Sequence, residues 1–164
     1  MPKQKYFRLD LAQQQLETAV ALFFRKDYVS VITLAGAASG ILTQLVLNAG
    51  KEPFVDYGRT LQSTLYGQAT LGREKYNRFI NDKFGVNALR HHGASDPDMI
   101  ALNVDVQAEQ ALTRAVVDYI ELRGQTEPFV TALLQWLWVN RNGPKAMREF
   151  EAVPDRFKRK RRPQ

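Results

Sequence analysis

The chain has 164 residues, of which 45% are hydrophobic and 24% charged, and this composition favours one globular domain and excludes whole-chain disorder. It has no cysteine, which excludes disulfides, thiol nucleophiles, iron–sulfur clusters and cysteine-based zinc sites. The formal net charge is +6, and the basic residues between Arg156 and Arg162 account for all of that excess. No apolar run reaches the ~20 residues of a membrane span and no signal-peptide pattern follows Met1, so we expect a cytoplasmic protein without membrane contact.

Apolar residues at helical spacing predict two long helices in the first fifty residues. The first covers residues 9–26, where apolar side chains recur every three or four positions. The second begins near Ser30, with Ser30 or Asp27 as its N-cap, and ends at Gly50 as its C-cap. Residues 35–40 of this helix are small and allow another helix to approach closely. We therefore expect the second helix at the buried centre of a bundle.

The middle and end of the chain continue the helical pattern. Pro53 and three glycines interrupt residues 51–72 and leave only a short predicted helix over residues 60–66. Helices are predicted over residues 73–84, over residues 97–102, from Val104 to near Gly124, and from Pro128 to Asn140. No strand pattern is present. The sequence predicts an all-α, single-domain helical bundle of about five main helices over residues 1–150 and a basic, flexible tail over residues 151–164.

The last predicted helix, over residues 128–140, is apolar on nearly every side. Such a helix is either central in its fold or covered by a partner. We therefore predict a homodimer, or a protein partner that docks on the helix carrying Trp136 and Trp138, because tryptophan is enriched at the anchor points of interfaces.

A polar cluster over residues 87–98 contains the only two histidines of the chain, His91 and His92. If residues 85–92 form a helical turn, Asn87 and His91 lie on one face, where the carboxamide can orient the imidazole for proton transfer. Arg90 or Arg78 would then hold a phosphate. The alternative is that Asn87 and His91 only cap and cross-link helix ends. We predict no metal site, because adjacent histidines on one turn point apart, and no cofactor.

This cluster resembles a motif of a known family. Asn87-x-x-Arg90-His91, followed by Asp96-Pro97-Asp98, is similar to the Asn-x-x-Lys-His…Asp-Pro pattern of a group of small helical bacterial proteins. The first two predicted helices, with the segment over residues 27–35, resemble the early part of the same group. That group in turn resembles the HEPN superfamily of helical, usually dimeric proteins, many of which are metal-independent ribonucleases or partners of nucleotidyltransferases. The resemblance covers residues 9–140.

The resemblance implies a HEPN-like scaffold more strongly than an active nuclease. The ribonuclease motif of the superfamily is often Arg-Asn-x-x-x-His, and Asn87 and His91 match it, but Val86 stands where the arginine should be. That arginine neutralises charge on the phosphorane, and losing one such charge costs about 10²–10³ in rate. Arg90 is the nearest replacement, on a different face of the turn.

Three functions follow as expectations. We favour a dimeric, nucleic-acid-associated binding or regulatory protein whose tail contacts RNA or DNA phosphates, because basic runs bind nucleic acid by counterion release. The alternatives are a metal-independent endoribonuclease that uses His91, Asn87 and Arg90, and a structural or adaptor subunit. The predicted nucleic-acid-binding residues are Arg78 and the tail residues Arg156, Lys158, Arg159, Lys160, Arg161 and Arg162.

Overall fold

The computed structural model describes residues 2–67, 69 and 71–155, and every regular element in that part of the chain is a helix. The predicted all-α class is therefore confirmed. Eight helices are present there, rather than about five main ones: α1 (Arg8–Phe24), α2 (Tyr28–Asn48), α3 (Phe54–Tyr66), α4 (Arg73–Lys83), α5 (Val86–Arg90), α6 (Val104–Arg123), α7 (Pro128–Asn140) and α8 (Gly143–Ala152).

The core lies where α2 packs between α1 and α6. Each of these three helices buries a stripe of apolar residues, and small alanines within the stripes let the helix backbones approach closely. The predicted central position of α2 agrees with these contacts. The largest fully buried apolar side chains include Leu16, Ile32, Leu42, Leu112, Tyr119 and Leu133.

The ends of α2 follow from local chemistry. The Asp27 carboxylate accepts a hydrogen bond from the Ser30 amide at 3.4 Å, so Asp27 is the N-cap of the two predicted candidates. Gly50 adopts a left-handed φ of 68°. Its amide and that of the next residue donate to the Leu47 and Val46 carbonyls, which closes the helix with a Schellman motif.

The structure differs from the sequence predictions in three places. The predicted short helix over residues 60–66 is the end of α3, which begins at Phe54 and tolerates Gly58 in its interior. The helix predicted over residues 97–102 does not form, and that segment is exposed irregular chain. α8, over Gly143–Ala152, is not among the predicted helices, and Pro144 is accommodated in its first turn.

α2 meets, by length and composition alone, the requirements of a membrane span. It has 21 residues and a mean hydropathy of 1.7 over its most apolar window. Of that window, 44% is buried inside this fold. The apolar character of α2 is explained by its packing against α1 and α6.

Candidate functional site

A cleft of about 290 Å³ runs between α2 and α4. One stripe of α2, at helical spacing and including Gly36, Ser39, Gly40 and Thr43, forms one wall. Gly40 opens that wall, because a Cβ built there would meet nothing within 4 Å. The other side of the cleft is lined by Asp56 of α3, by Arg73, Glu74, Asn77 and Asn81 of α4, by Arg90 of α5, and by Arg114 of α6.

Arg114 is the most deeply buried charged residue that lines the cleft. Its residue is only 3% exposed, and its two terminal nitrogens donate to the Oδ1 atoms of Asn81 and Asn77 at 2.7 and 2.6 Å. Burial lowers the pKa of Arg114 to about 10, while the nearby carboxylate of Asp118 and the Tyr76 hydroxyl act in the opposite direction. The guanidinium therefore stays charged near neutral pH and ties α6 to α4.

The hydrogen bonds of Arg114 decide how the two asparagines are oriented. A guanidinium donates and never accepts, so each carboxamide must present its oxygen to Arg114. The Nδ2 groups of Asn77 and Asn81 then turn away from Arg114, and neither has a protein acceptor in the described part of the chain. The cleft that these residues line therefore contains two neutral donor groups held by a buried cation.

Two of the three carboxylates near the cleft, those of Asp118 and Asp56 but not that of Glu74, are already engaged. Asp118 is fully buried, and it accepts hydrogen bonds from the Thr43 hydroxyl at 2.9 Å and from the Phe54 amide at 2.7 Å. Asp56 accepts a bidentate pair of hydrogen bonds from Arg73, at 2.9 and 2.5 Å. Bidentate geometry is the strongest arrangement for such a pair. Both acids therefore stabilise the walls and leave few free acceptors in the cleft.

Two buried polar atoms at the cleft have no hydrogen-bond partner among the described residues. They are the Ser39 hydroxyl oxygen and the Arg114 Nε atom, and both residues are only 3% exposed. An unsatisfied buried polar group costs about 1–3 kcal/mol. Such groups are retained where a water molecule or a ligand completes them, so they mark this cleft as a functional candidate.

No side-chain hydrogen bond joins the sequence-predicted pair Asn87 and His91. α5 ends at Arg90, and His91 follows it with an extended backbone, so the two side chains do not stack along a helix. The Asn87 amide instead donates to Asp82 at 2.7 Å. His91 is exposed, without a hydrogen bond from its ring to any described residue. The catalytic role of these residues stays a prediction.

The other predicted site residues lie in different places. Arg90 lines the cleft, whereas Arg78 is exposed on α4 outside it. His92 and Asp98 are both exposed, with 3.8 Å between the His92 Nε2 and an Asp98 oxygen. Among the described residues, no group of three or more histidines and acids is placed to hold a metal ion. The predicted tail residues Arg156, Lys158, Arg159, Lys160, Arg161 and Arg162 lie outside the described residues.

The two tryptophans of α7 have different environments. Trp136 packs edge-on against Phe23 at a centroid distance of 4.8 Å, and the Arg141 guanidinium lies 5.7 Å from the centre of its ring. Trp138 is 48% exposed and lies against Gly143 at the start of α8. Trp136 therefore packs within the fold. A protein partner, which stays a prediction, would contact Trp138 and the exposed residues around it.

Sequence reasoning missed Arg114, Asn77 and Asn81. The available signal was their spacing, because Asn77 and Asn81 are one helical turn apart, as are Arg114 and Asp118. Both pairs resemble ordinary solvent-facing residues until the packing of α4 on α6 is known. No family model, curated protein or solved structure matches this chain.

Proposed function

We propose that this protein is a nucleic-acid-associated binding or regulatory protein, as the sequence predicts, and that it binds single-stranded nucleic acid. The observation that carries the proposal is Arg90, whose side chain lines the cleft without a hydrogen-bond or ion partner among the described residues. Arg73 and Arg114 line the same cleft, but Asp56 and the two asparagines already engage their donors. Arginine is the side chain best suited to phosphate, because its planar donors match phosphate oxygens.

The distribution of basic residues also favours nucleic-acid binding at the helices around the cleft. Residues 73–90 carry five basic and two acidic side chains, whereas residues 1–155 as a whole carry equal numbers of each. Positive charge is therefore concentrated on α4 and α5, two of the helices that line the cleft, although of these five basic residues only Arg73 and Arg90 line the cleft itself. The tail adds all of the net charge of the protein, and we propose that it contacts further phosphates of the same strand.

A binding role is better supported than a nuclease role. Val86, which occupies the arginine position of the resembling ribonuclease motif, is only 3% exposed and packs against Gly36 of α2. An arginine in the same backbone position would be buried without an ion partner, which is costly. Val86 therefore has a packing role, and the His91 ring makes no hydrogen bond or ion pair with any described residue.

Fluorescence anisotropy tests the proposal with full-length protein and a labelled single-stranded RNA of twenty nucleotides. Affinity is measured between 50 and 200 mM salt, and DNA of the same sequence is the second probe. The slope of log affinity against log salt falls by about 0.7 for each phosphate that the protein no longer neutralises. Replacing Arg90 by Gln is therefore expected to reduce the slope by about 0.7, and replacing all six basic tail residues by Gln to reduce it by up to about 4.

The matched control is Arg148→Gln, which removes one exposed positive charge from α8. We expect the control to keep the slope of the unmodified protein. The proposal is contradicted if neither RNA nor DNA binds at 50 mM salt, or if Arg90→Gln and Arg148→Gln change the slope equally.

A further inference from the structure

We propose that the cleft between α2 and α4 is a phosphate site, in which an oxyanion is bound by the Nδ2 groups of Asn77 and Asn81 and by the guanidinium of Arg90. This inference rests on the proposed function, since it names the chemical group that the cleft recognises. It does not depend on the tail. Arg114 is the positioning residue, because its terminal nitrogens are occupied by the two asparagine oxygens.

The balance of donors and acceptors favours an oxyanion over other ligands. Asn77, Asn81 and Arg90 offer donors into the cleft, and the Ser39 hydroxyl, which is buried without a partner among the described residues, adds another beneath it. The Asp56 carboxylate, one of the two acids that line the cleft, is neutralised by Arg73. A ligand with several acceptor oxygens and negative charge satisfies such a set, whereas a ligand that must donate finds few acceptors.

The remaining acid that lines the cleft, Glu74, repels an anion and so favours binding toward the other end of the cleft. Glu74 and Asn81 are seven residues apart on α4, which corresponds to about 10 Å along the helix. The Arg90 side chain lines the same cleft from α5. Asn77 is only three residues from Glu74, so an anion is expected to lie closest to Asn81 and Arg90 and to receive the Asn77 donor on its side nearer Glu74.

The volume of the cleft is suited to a small ligand such as a phosphate group. Its volume of about 290 Å³ is at the lower end of the ~300–1,000 Å³ that ligand pockets span. A phosphate, alone or at the end of a nucleotide, fits such a space. The phosphate can come from a nucleic-acid strand or from a small phosphorylated molecule, and the experiment below separates these sources.

The direct test follows the side-chain amide signals of Asn77 and Asn81 by ¹H–¹⁵N NMR of the full-length protein. Sodium phosphate is titrated to 50 mM, with sodium chloride added to keep the ionic strength constant. We expect both side-chain signals to shift and to saturate with one dissociation constant. Unchanged signals over the whole titration would overturn the inference.

Asn77→Asp and Asn81→Asp separate binding from folding. Aspartate is nearly isosteric with asparagine and still accepts from Arg114, so the fold is expected to be kept or stabilised. In each variant a negatively charged carboxylate oxygen replaces the Nδ2 donor and repels the anion. Phosphate affinity is therefore expected to fall at least tenfold. The control is Asn103→Asp, which makes the same charge change at an exposed helix N-cap, where both residues are favoured. Equal loss in the control would overturn the inference.

Two further variants test the site without adding negative charge. Gly40→Leu projects a side chain from the open wall of α2, and we expect it to reduce phosphate affinity while the protein stays folded. Arg114→Lys keeps the charge but cannot hold two carboxamides in a fork, so the signals of Asn77 and Asn81 are expected to lose their response to phosphate. Normal phosphate affinity in both folded variants would place the site elsewhere.

Failure of this inference differs from failure of the proposed function. If RNA binds but phosphate leaves the signals of Asn77 and Asn81 unchanged, the nucleic-acid function stands and the phosphate site is wrong. If phosphate and adenosine monophosphate shift these signals but RNA does not bind, the site is right and its source is a small molecule. The nucleic-acid function is then wrong.

Discussion

Replacing Gly36 by Ala tests how α2 and α5 are packed, and through them the position of Arg90 at the cleft. A Cβ at Gly36 would lie 2.6 Å from the Val86 Cγ1 atom and 3.2 Å from its Cγ2 atom. Ordinary carbon contacts are about 3.5–4.0 Å, so either the valine or the whole of α5 must move by close to 1 Å. Overpacking of this kind costs about 1–3 kcal/mol of stability.

Gly40→Ala is the matched control for this substitution. It lies one turn further along α2, and its new Cβ would meet nothing within 4 Å. Both substitutions gain the same helix propensity, about 1 kcal/mol in favour of alanine. We therefore expect Gly40→Ala to stabilise the protein by up to about 1 kcal/mol and Gly36→Ala to be about 1–3 kcal/mol less stable than Gly40→Ala.

Urea unfolding, followed by circular dichroism, measures the difference. A gap of about 1–3 kcal/mol corresponds to roughly 2–12 °C in melting temperature for a chain of this size. A double variant, Gly36→Ala with Val86→Ala, removes the methyl groups that obstruct the new Cβ. Its stability loss is expected to be smaller than the sum of the two single losses. Equal stabilities for Gly36→Ala and Gly40→Ala would refute the proposed packing of α2 on α5.

Three further predictions concern buried and exposed polar groups. Arg114→Met leaves two asparagine oxygens and the neighbouring Asp118 without their cation, so it is expected to cost about 3–5 kcal/mol in urea unfolding, and a loss below about 1 kcal/mol would contradict this. Burial raises the pKa of Tyr119, so the folded state disfavours its ionisation, and stability present below about pH 10 is lost as the pH rises further. Between pH 9 and 11, the free energy of unfolding is expected to fall less for Tyr119→Phe than for the unmodified protein. Parallel plots of this free energy against pH for the two proteins would contradict the prediction. RNA incubated with EDTA and either the unmodified protein or His91→Ala is expected to stay intact on a denaturing gel, whereas cyclic-phosphate products from the unmodified protein alone would establish a nuclease.

The long helices are predictable from sequence because their apolar residues recur at helical spacing. The interiors of α1, α2, α4, α6 and α7 agree with the predicted helices to within a few residues of their bounds. The full extent of α3 and the presence of α8 do not follow from the sequence pattern, because glycine and proline usually interrupt helices. In the structure Gly58 lies within a helix, and Pro144 lies in the first turn of another.

The candidate site was only partly predictable. Arg90, which the sequence places in a polar cluster, lines the cleft, but its partners there differ from the expected Asn87 and His91. Local spacing predicts that pair, but α5 ends at Arg90 and the His91 backbone is extended, which spacing alone does not reveal. The contacts of Arg114 with α4 join residues more than thirty positions apart, so periodicity within one helix contains no information about them.

The most direct test of the account is an RNA titration of full-length protein observed at the side-chain amides of Asn77 and Asn81. Both signals are expected to shift as single-stranded RNA is added. The shifts should saturate at the same RNA concentration as the anisotropy of a labelled strand. RNA that binds by anisotropy while both signals stay in place would contradict the claim that this cleft receives the phosphate.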